Sequence, residues 1–232
     1  DIKGQESTGL FGKATSKLEN SGTINLVSST SANKPNIGIF TEDQNTKIYH
    51  SKDIIGGKNT YGIYGKTVLL TGNAKIKVGD NSVGIFSNGK YAAGSTASTI
   101  SLPSTSTIEV GKNAAVGVFT TGVNQKITSD GNMRIGDSSY GFVIRGTGTK
   151  LSTNTTAGVT LGNDAVYVYS ADRTGSIENR TRLTSTGSKN YGIYSAGTVT
   201  NLADINFGSG VGNVGIYSIA GGNAVNGNAT IR

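Results

Sequence analysis

Apolar and polar positions along this chain repeat in blocks. A tetrapeptide of the form apolar–Gly–aliphatic–aromatic recurs as Ile37-Gly38-Ile39-Phe40, Tyr61-Gly62-Ile63-Tyr64, Val83-Gly84-Ile85-Phe86 and Val116-Gly117-Val118-Phe119. It returns as Tyr191-Gly192-Ile193-Tyr194 and Val214-Gly215-Ile216-Tyr217, and Thr8-Gly9-Leu10-Phe11 opens the series. Two relaxed copies fill the gap, Tyr140-Gly141-Phe142-Val143 and Val166-Tyr167-Val168-Tyr169. With Tyr167 standing at a glycine position, the intervals are 29, 24, 22, 33, 24, 26, 25 and 23 residues. A period of this size marks a solenoid, in which no single repeat can bury its own apolar face.

Residues 62–83 show what one repeat holds. Gly62-Ile63-Tyr64 begins it, Gly65-Lys66 turns the chain, and Thr67-Val68-Leu69-Leu70 follows. After the corner Thr71-Gly72-Asn73, the segment Ala74-Lys75-Ile76-Lys77-Val78 alternates apolar and charged residues, the pattern of a half-buried strand. Gly79-Asp80-Asn81-Ser82 closes the repeat with residues suited to corners. The last strand recurs independently as Thr107-Ile108-Glu109-Val110, Met133-Arg134-Ile135, Val159-Thr160-Leu161 and Asp204-Ile205-Asn206-Phe207. The expectation is an all-β fold: a parallel β-helix of about nine turns, three short strands per turn, forming a single domain over residues 1–232. Right-handed winding follows from the general bias of parallel crossovers.

Strict alternation places the residues before and after each glycine on one face, and the glycine and the aromatic on the other. Ile63, Ile85, Val118, Val168, Ile193 and Ile216 are then inside, and Tyr64, Phe86, Phe119, Tyr169, Tyr194 and Tyr217 stack outside. Both faces are apolar, so the inverse arrangement stays open.

Composition narrows the picture. The chain has 232 residues, 35 of them glycine but only 2 proline, and the glycines lack the three-residue period of collagen. There is no cysteine, so no disulfide and no thiolate metal site. The net charge of +7 is spread evenly, 12 Lys against 8 acids in residues 1–116 and 9 Lys and Arg against 6 acids in 117–232. No basic block marks a nucleic-acid tract; the excess favours acidic partners such as anionic glycans. No apolar run is long enough to span a membrane as a helix, and no signal peptide opens the chain.

These repeats, including Asn81-Ser82-Val83-Gly84-Ile85-Phe86 and Lys189-Asn190-Tyr191-Gly192-Ile193-Tyr194, resemble the passenger region of monomeric (type Va) autotransporters. They are most similar to large fusobacterial-type outer-membrane adhesins. The resemblance implies a fragment of a longer passenger, displayed outside the cell and anchored to the outer membrane through a C-terminal barrel missing here. It also implies attachment to a host-cell receptor or glycan, or to other bacteria, by a monomer. Asn81-Ser82-Val83-Gly84 also resembles the head repeats of trimeric autotransporters, but those repeat at a shorter interval.

The alternative is a polysaccharide-degrading lyase or hydrolase, since several β-helix proteins are enzymes. Such chemistry needs neighbouring carboxylates or a Ca site with a base. Asp80, Asp137 and Asp164 sit at corners that stacking could bring together, and Glu42-Asp43 is an adjacent pair. The corner acids read as hydrogen-bonded turns. His50 is the only histidine, which excludes a multi-histidine metal site, and it reads as a solvent-facing or loop residue. The chain is therefore expected to be non-catalytic, with no metal and no cofactor. Binding is expected on the long excursion carrying Lys90-Tyr91, on that holding Ser28-Ser29-Thr30-Ser31, and on the outer aromatics Tyr64, Phe86, Phe119, Tyr169, Tyr194 and Tyr217.

Overall fold

The computed structural model describes residues 1–14, 16–219 and 221–232. Among them the regular elements are all β-strands, arranged in three sheets of nine, nine and eight strands. In each sheet every strand pairs in parallel with its equivalents three strands earlier and later in the chain. The chain is a β-solenoid of about nine coils, here numbered by their tetrapeptides from Gly9 (coil 1) to Gly215 (coil 9). The first sheet is built from the tetrapeptides, Thr8–Phe11 through Val214–Ser218. The second runs from Lys17–Asn20 to Asn223–Asn226, and the third from Ile24–Leu26 to Ile205–Asn206.

The core is built of columns of aliphatic side chains contributed by all three sheets. Coil 3 contributes Ile63, Val68 and Ile76, and coil 5 contributes Val118, Ile127 and Met133, none more than 3% exposed. Equivalent residues stand in register from coil to coil, as in Ile54↔Ile76 and Val68↔Ile100. Each such burial stabilises by about 1.5–3 kcal/mol. Ile216, expected inside, is only half-buried, because it belongs to coil 9 and is covered from one side.

The tetrapeptide departs from strict alternation at its glycine. The rungs join Ile37↔Tyr61, Ile39↔Ile63 and Phe40↔Tyr64, and Gly38 has no partner in register. A Cβ on Gly38 would lie 3.3 Å from the core methyl of Ile54, and one on Gly62 would lie 3.0 Å from that of Ile76. So the glycine faces inward together with the aliphatic residue after it, and the residue before it faces outward with the aromatic. The expected pairing of glycine with the aromatic is corrected on this point. The cause is close stacking: the same Cβ atoms would sit 2.5 and 2.6 Å from the carbonyl oxygen of the next coil's glycine.

Tyr167 takes the glycine position in coil 7 and fills the space that its neighbours leave. It is 1% exposed, meets Phe142 edge-on at 5.6 Å, and hydrogen-bonds the side chains of Thr153 and Thr181. Burial pushes its phenol up to about 12 despite those two bonds.

His50 is not in a loop. It lies in the strand Lys47–His50, fully buried, because its rung places it inward between Asn20 and Leu70. Its Nδ1 meets the Asn20 amide at 3.0 Å, while its Nε2 has no partner. Further along the same inner position, polar residues pair with each other. Thr153 donates to Asn179 (2.8 Å), Asn179 to Asn201 (2.7 Å) and Asn201 to Asn226 (2.7 Å).

The third corner is repeated almost residue for residue. In six of the coils the residue three positions before the glycine, or before Tyr167 in coil 7, is left-handed: φ is 55° at Asn59, 53° at Asn81, 63° at Ala114, 53° at Ser138, 52° at Asp164 and 59° at Lys189. Asn and Asp adopt this conformation more readily than most L residues.

Candidate binding face

The outer side of the first sheet carries the aromatic residues expected there. Phe11, Phe40, Tyr64, Phe86 and Phe119 follow one another at centroid distances of 5.6, 4.9, 4.7 and 5.4 Å. Tyr169, Tyr194 and Tyr217 continue at 5.2 and 4.9 Å. All are half-buried except Phe11 and Tyr217, which lie in the outermost coils at 58% and 46% exposure. The aliphatic residues assigned to the interior are there, so the inverse arrangement is excluded.

The break at glycine adds a second outward column. Tyr61 lies 6.1 Å from Phe86, Tyr140 lies 6.4 Å from Tyr169, and Tyr191 lies 6.2 Å from Tyr217. These three tyrosines precede the glycine and were missed by alternation. The signal was present, since an aromatic residue opens three of the nine copies. Between them, Val83 and Val116 complete an apolar strip two side chains wide. Burial raises the phenols of Tyr61 and Tyr64 above the ordinary tyrosine value.

Lys90 and Tyr91 do not belong to a free loop. Gln44, two coils earlier, clamps the Lys90 backbone: its amide donates to Lys90 O (2.8 Å) and its oxygen accepts from Lys90 N (3.0 Å). The Tyr91 hydroxyl donates to Lys66 O (2.6 Å) and lies 2.8 Å from the Thr67 hydroxyl. Coil 3 turns this corner in two residues, so coils 2 and 4 close over it. The Lys66 ammonium beneath donates to Asn88, and burial lowers its pKa. The Lys90 side chain is exposed, as is the segment 92–97 after Tyr91. The other excursion is tied down, with the Ser29 hydroxyl donating to Lys34 O (2.6 Å).

The corner acids hold neighbouring coils together. Asp80 accepts from the Lys112 backbone (3.0 Å) and the Asn113 amide (2.8 Å), and these bonds keep its carboxyl below the usual range. Asp137 pairs with the Lys112 ammonium (2.8 Å) and accepts from Asn163 N (2.9 Å), with the same effect. Asp43 accepts from Asn45 N in a local turn (2.9 Å). On the third sheet Glu109 gathers Lys75 (2.8 Å), Arg134 (3.6 Å) and Lys77 (3.9 Å), leaving net positive charge on that face. Among the described residues no three His, Cys, Asp or Glu side chains lie together so as to hold a metal, and no helix is long and apolar enough to cross a membrane.

No protein-family model, no curated protein and no solved structure matches this chain.

Proposed function

We propose that the chain is a non-catalytic passenger segment of a bacterial cell-surface adhesin, and that the first sheet's outer side is its contact face. The observation that carries this reading is the apolar strip of stacked rings, two side chains wide, along a rigid solenoid. Aromatic faces of this kind supply contact area at low entropic cost, and large apolar patches on soluble proteins mark interaction surfaces. The repeats that resemble autotransporter passengers support placement outside the cell, anchored through a barrel elsewhere in the protein. The partner is a receptor or glycan on a host cell, or another bacterial surface. Asp80 and Asp137 favour a structural over a catalytic role, because both spend their oxygens on the adjoining coil.

The test is retention of the purified chain on epithelial cells, bacterial cells and a glycan array. We expect retention, lost in a Tyr64→Ala/Phe86→Ala/Tyr194→Ala variant that keeps its β-strand circular dichroism. No retention on any surface reduces the segment to a spacer. Release of reducing sugar from a polysaccharide panel, abolished by Asp80→Ala or Asp137→Ala, would make the protein an enzyme instead.

A further inference from the structure

The aromatic column is interrupted once. Coil 6 puts Val143 on the rung between Phe119 and Tyr169. Those two rings stand two rungs apart, roughly 9–10 Å by strand spacing, which leaves room for one ring between them. The missing ring leaves a notch of about 340 Å³, lined by Val116, Phe119, Tyr140, Val143, Arg145 and Tyr169. Its floor is aliphatic, with Val116 and Val143 only 9% and 7% exposed. Arg145 stands exposed at the rim, and its guanidinium makes no ion pair among the described residues.

We propose that this notch receives an aromatic side chain of a partner protein that carries a carboxylate next to it. The ring takes the rung that Val143 leaves open, and the carboxylate pairs with Arg145. This rests on the reading of the first sheet's outer side as the contact face. The lining decides the class of occupant. Apart from Arg145, it offers only two phenol hydroxyls as polar side-chain groups. A sugar ring would have to leave several hydroxyls without partners, which is costly. A phenyl ring asks for none and a phenol for only one, at its tip, and either meets Phe119 and Tyr169 in the offset or edge-on geometry that such pairs prefer. Arg145 adds charge complementarity for an acidic neighbour.

The probe is the blocked tetrapeptide acetyl-Gly-Tyr-Glu-Gly-amide, titrated into the labelled chain while the methyl resonances of Val116 and Val143 are followed. Control peptides replace Tyr by Leu or Glu by Gln. We expect saturable shifts with the first peptide, none with the leucine peptide, and about threefold weaker binding of the glutamine peptide, the scale of an exposed ion pair. Arg145→Gln should remove the difference between the Glu and Gln peptides. Val143→Phe gives coil 6 the residue type its neighbours carry, so it should fold and lose binding, read at Val116. Equal saturation by the leucine peptide, binding unchanged in Val143→Phe, or no saturable shift would each overturn the proposal. Cell retention without peptide binding sinks the notch and leaves the adhesin reading. Peptide binding without retention does the reverse.

Discussion

Two single residues carry the sharpest consequences. His50 is buried with one ring nitrogen unpartnered, and burial holds its pKa below the ordinary 6.5. The unfolded chain therefore takes up a proton near pH 6.5, while the folded chain does so only at lower pH. Between those values the unfolded state holds more protons, so stability falls as pH is lowered through that window. Urea unfolding at pH 7.5 and pH 5 should show this loss, and His50→Leu, matching Leu70 on the next rung, should reduce it. Tyr167 makes the opposite point about the repeat. Tyr167→Gly restores the consensus yet should cost about 3–5 kcal/mol in thermal or urea unfolding, because it empties a filled core position. Tyr167→Phe should cost about 1 kcal/mol for the lost hydroxyl bonds. Neither residue could be placed from its own identity. His50 is inward because its rung makes it so, and strand parity in a short segment rests on neighbours the sequence does not rank.

At the scale of elements, strands and corners were legible and their faces only partly so. The apolar alternation of Ala74–Val78 and the Gly-Asp-Asn-Ser corner that follows correspond to the strand Lys75–Val78 and to a left-handed residue at Asn81. The aliphatic and aromatic positions also face as expected. What alternation could not reveal is that a residue without a side chain lets two successive positions turn inward. Hence strict alternation turns Tyr61, Tyr140 and Tyr191 to the wrong side. The corner yields its own prediction: Lys189 adopts φ 59° where three other coils use Asn or Asp-like residues. Lys189→Gly should stabilise by about 0.5–1 kcal/mol, read as a rise in the urea midpoint. The amide column gives another. Asn201 donates to the exposed Asn226 and accepts from the buried Asn179, so Asn201→Ala strands the Asn179 amide and should cost about 1–3 kcal/mol.

Across the whole molecule, each coil is sandwiched between two others except at the extremes. Coil 9 shows it: the strand Val214–Ser218 is half-buried to exposed, and Asn223–Asn226 is exposed throughout. Amide hydrogen exchange should be slowest in the rungs of coils 3–8 and fastest in coils 1 and 9, with a graded profile between. A uniform profile would mean that the coils open together. The clamp on the long excursion escaped the sequence for a related reason. Lys90 and Tyr91 read as a loose loop, and only three-dimensional stacking brings Gln44 against them from 46 residues away.

Among the described residues no backbone rung joins positions more than 33 apart, the span from Val83 to Val116. The chain-closure entropy of each added layer is thus capped, whatever the total length. Folding can advance as a zipper, with each finished layer serving as template for the one that emerges next. A longer protein built from the same units would then face many small barriers in series instead of one that grows with its size.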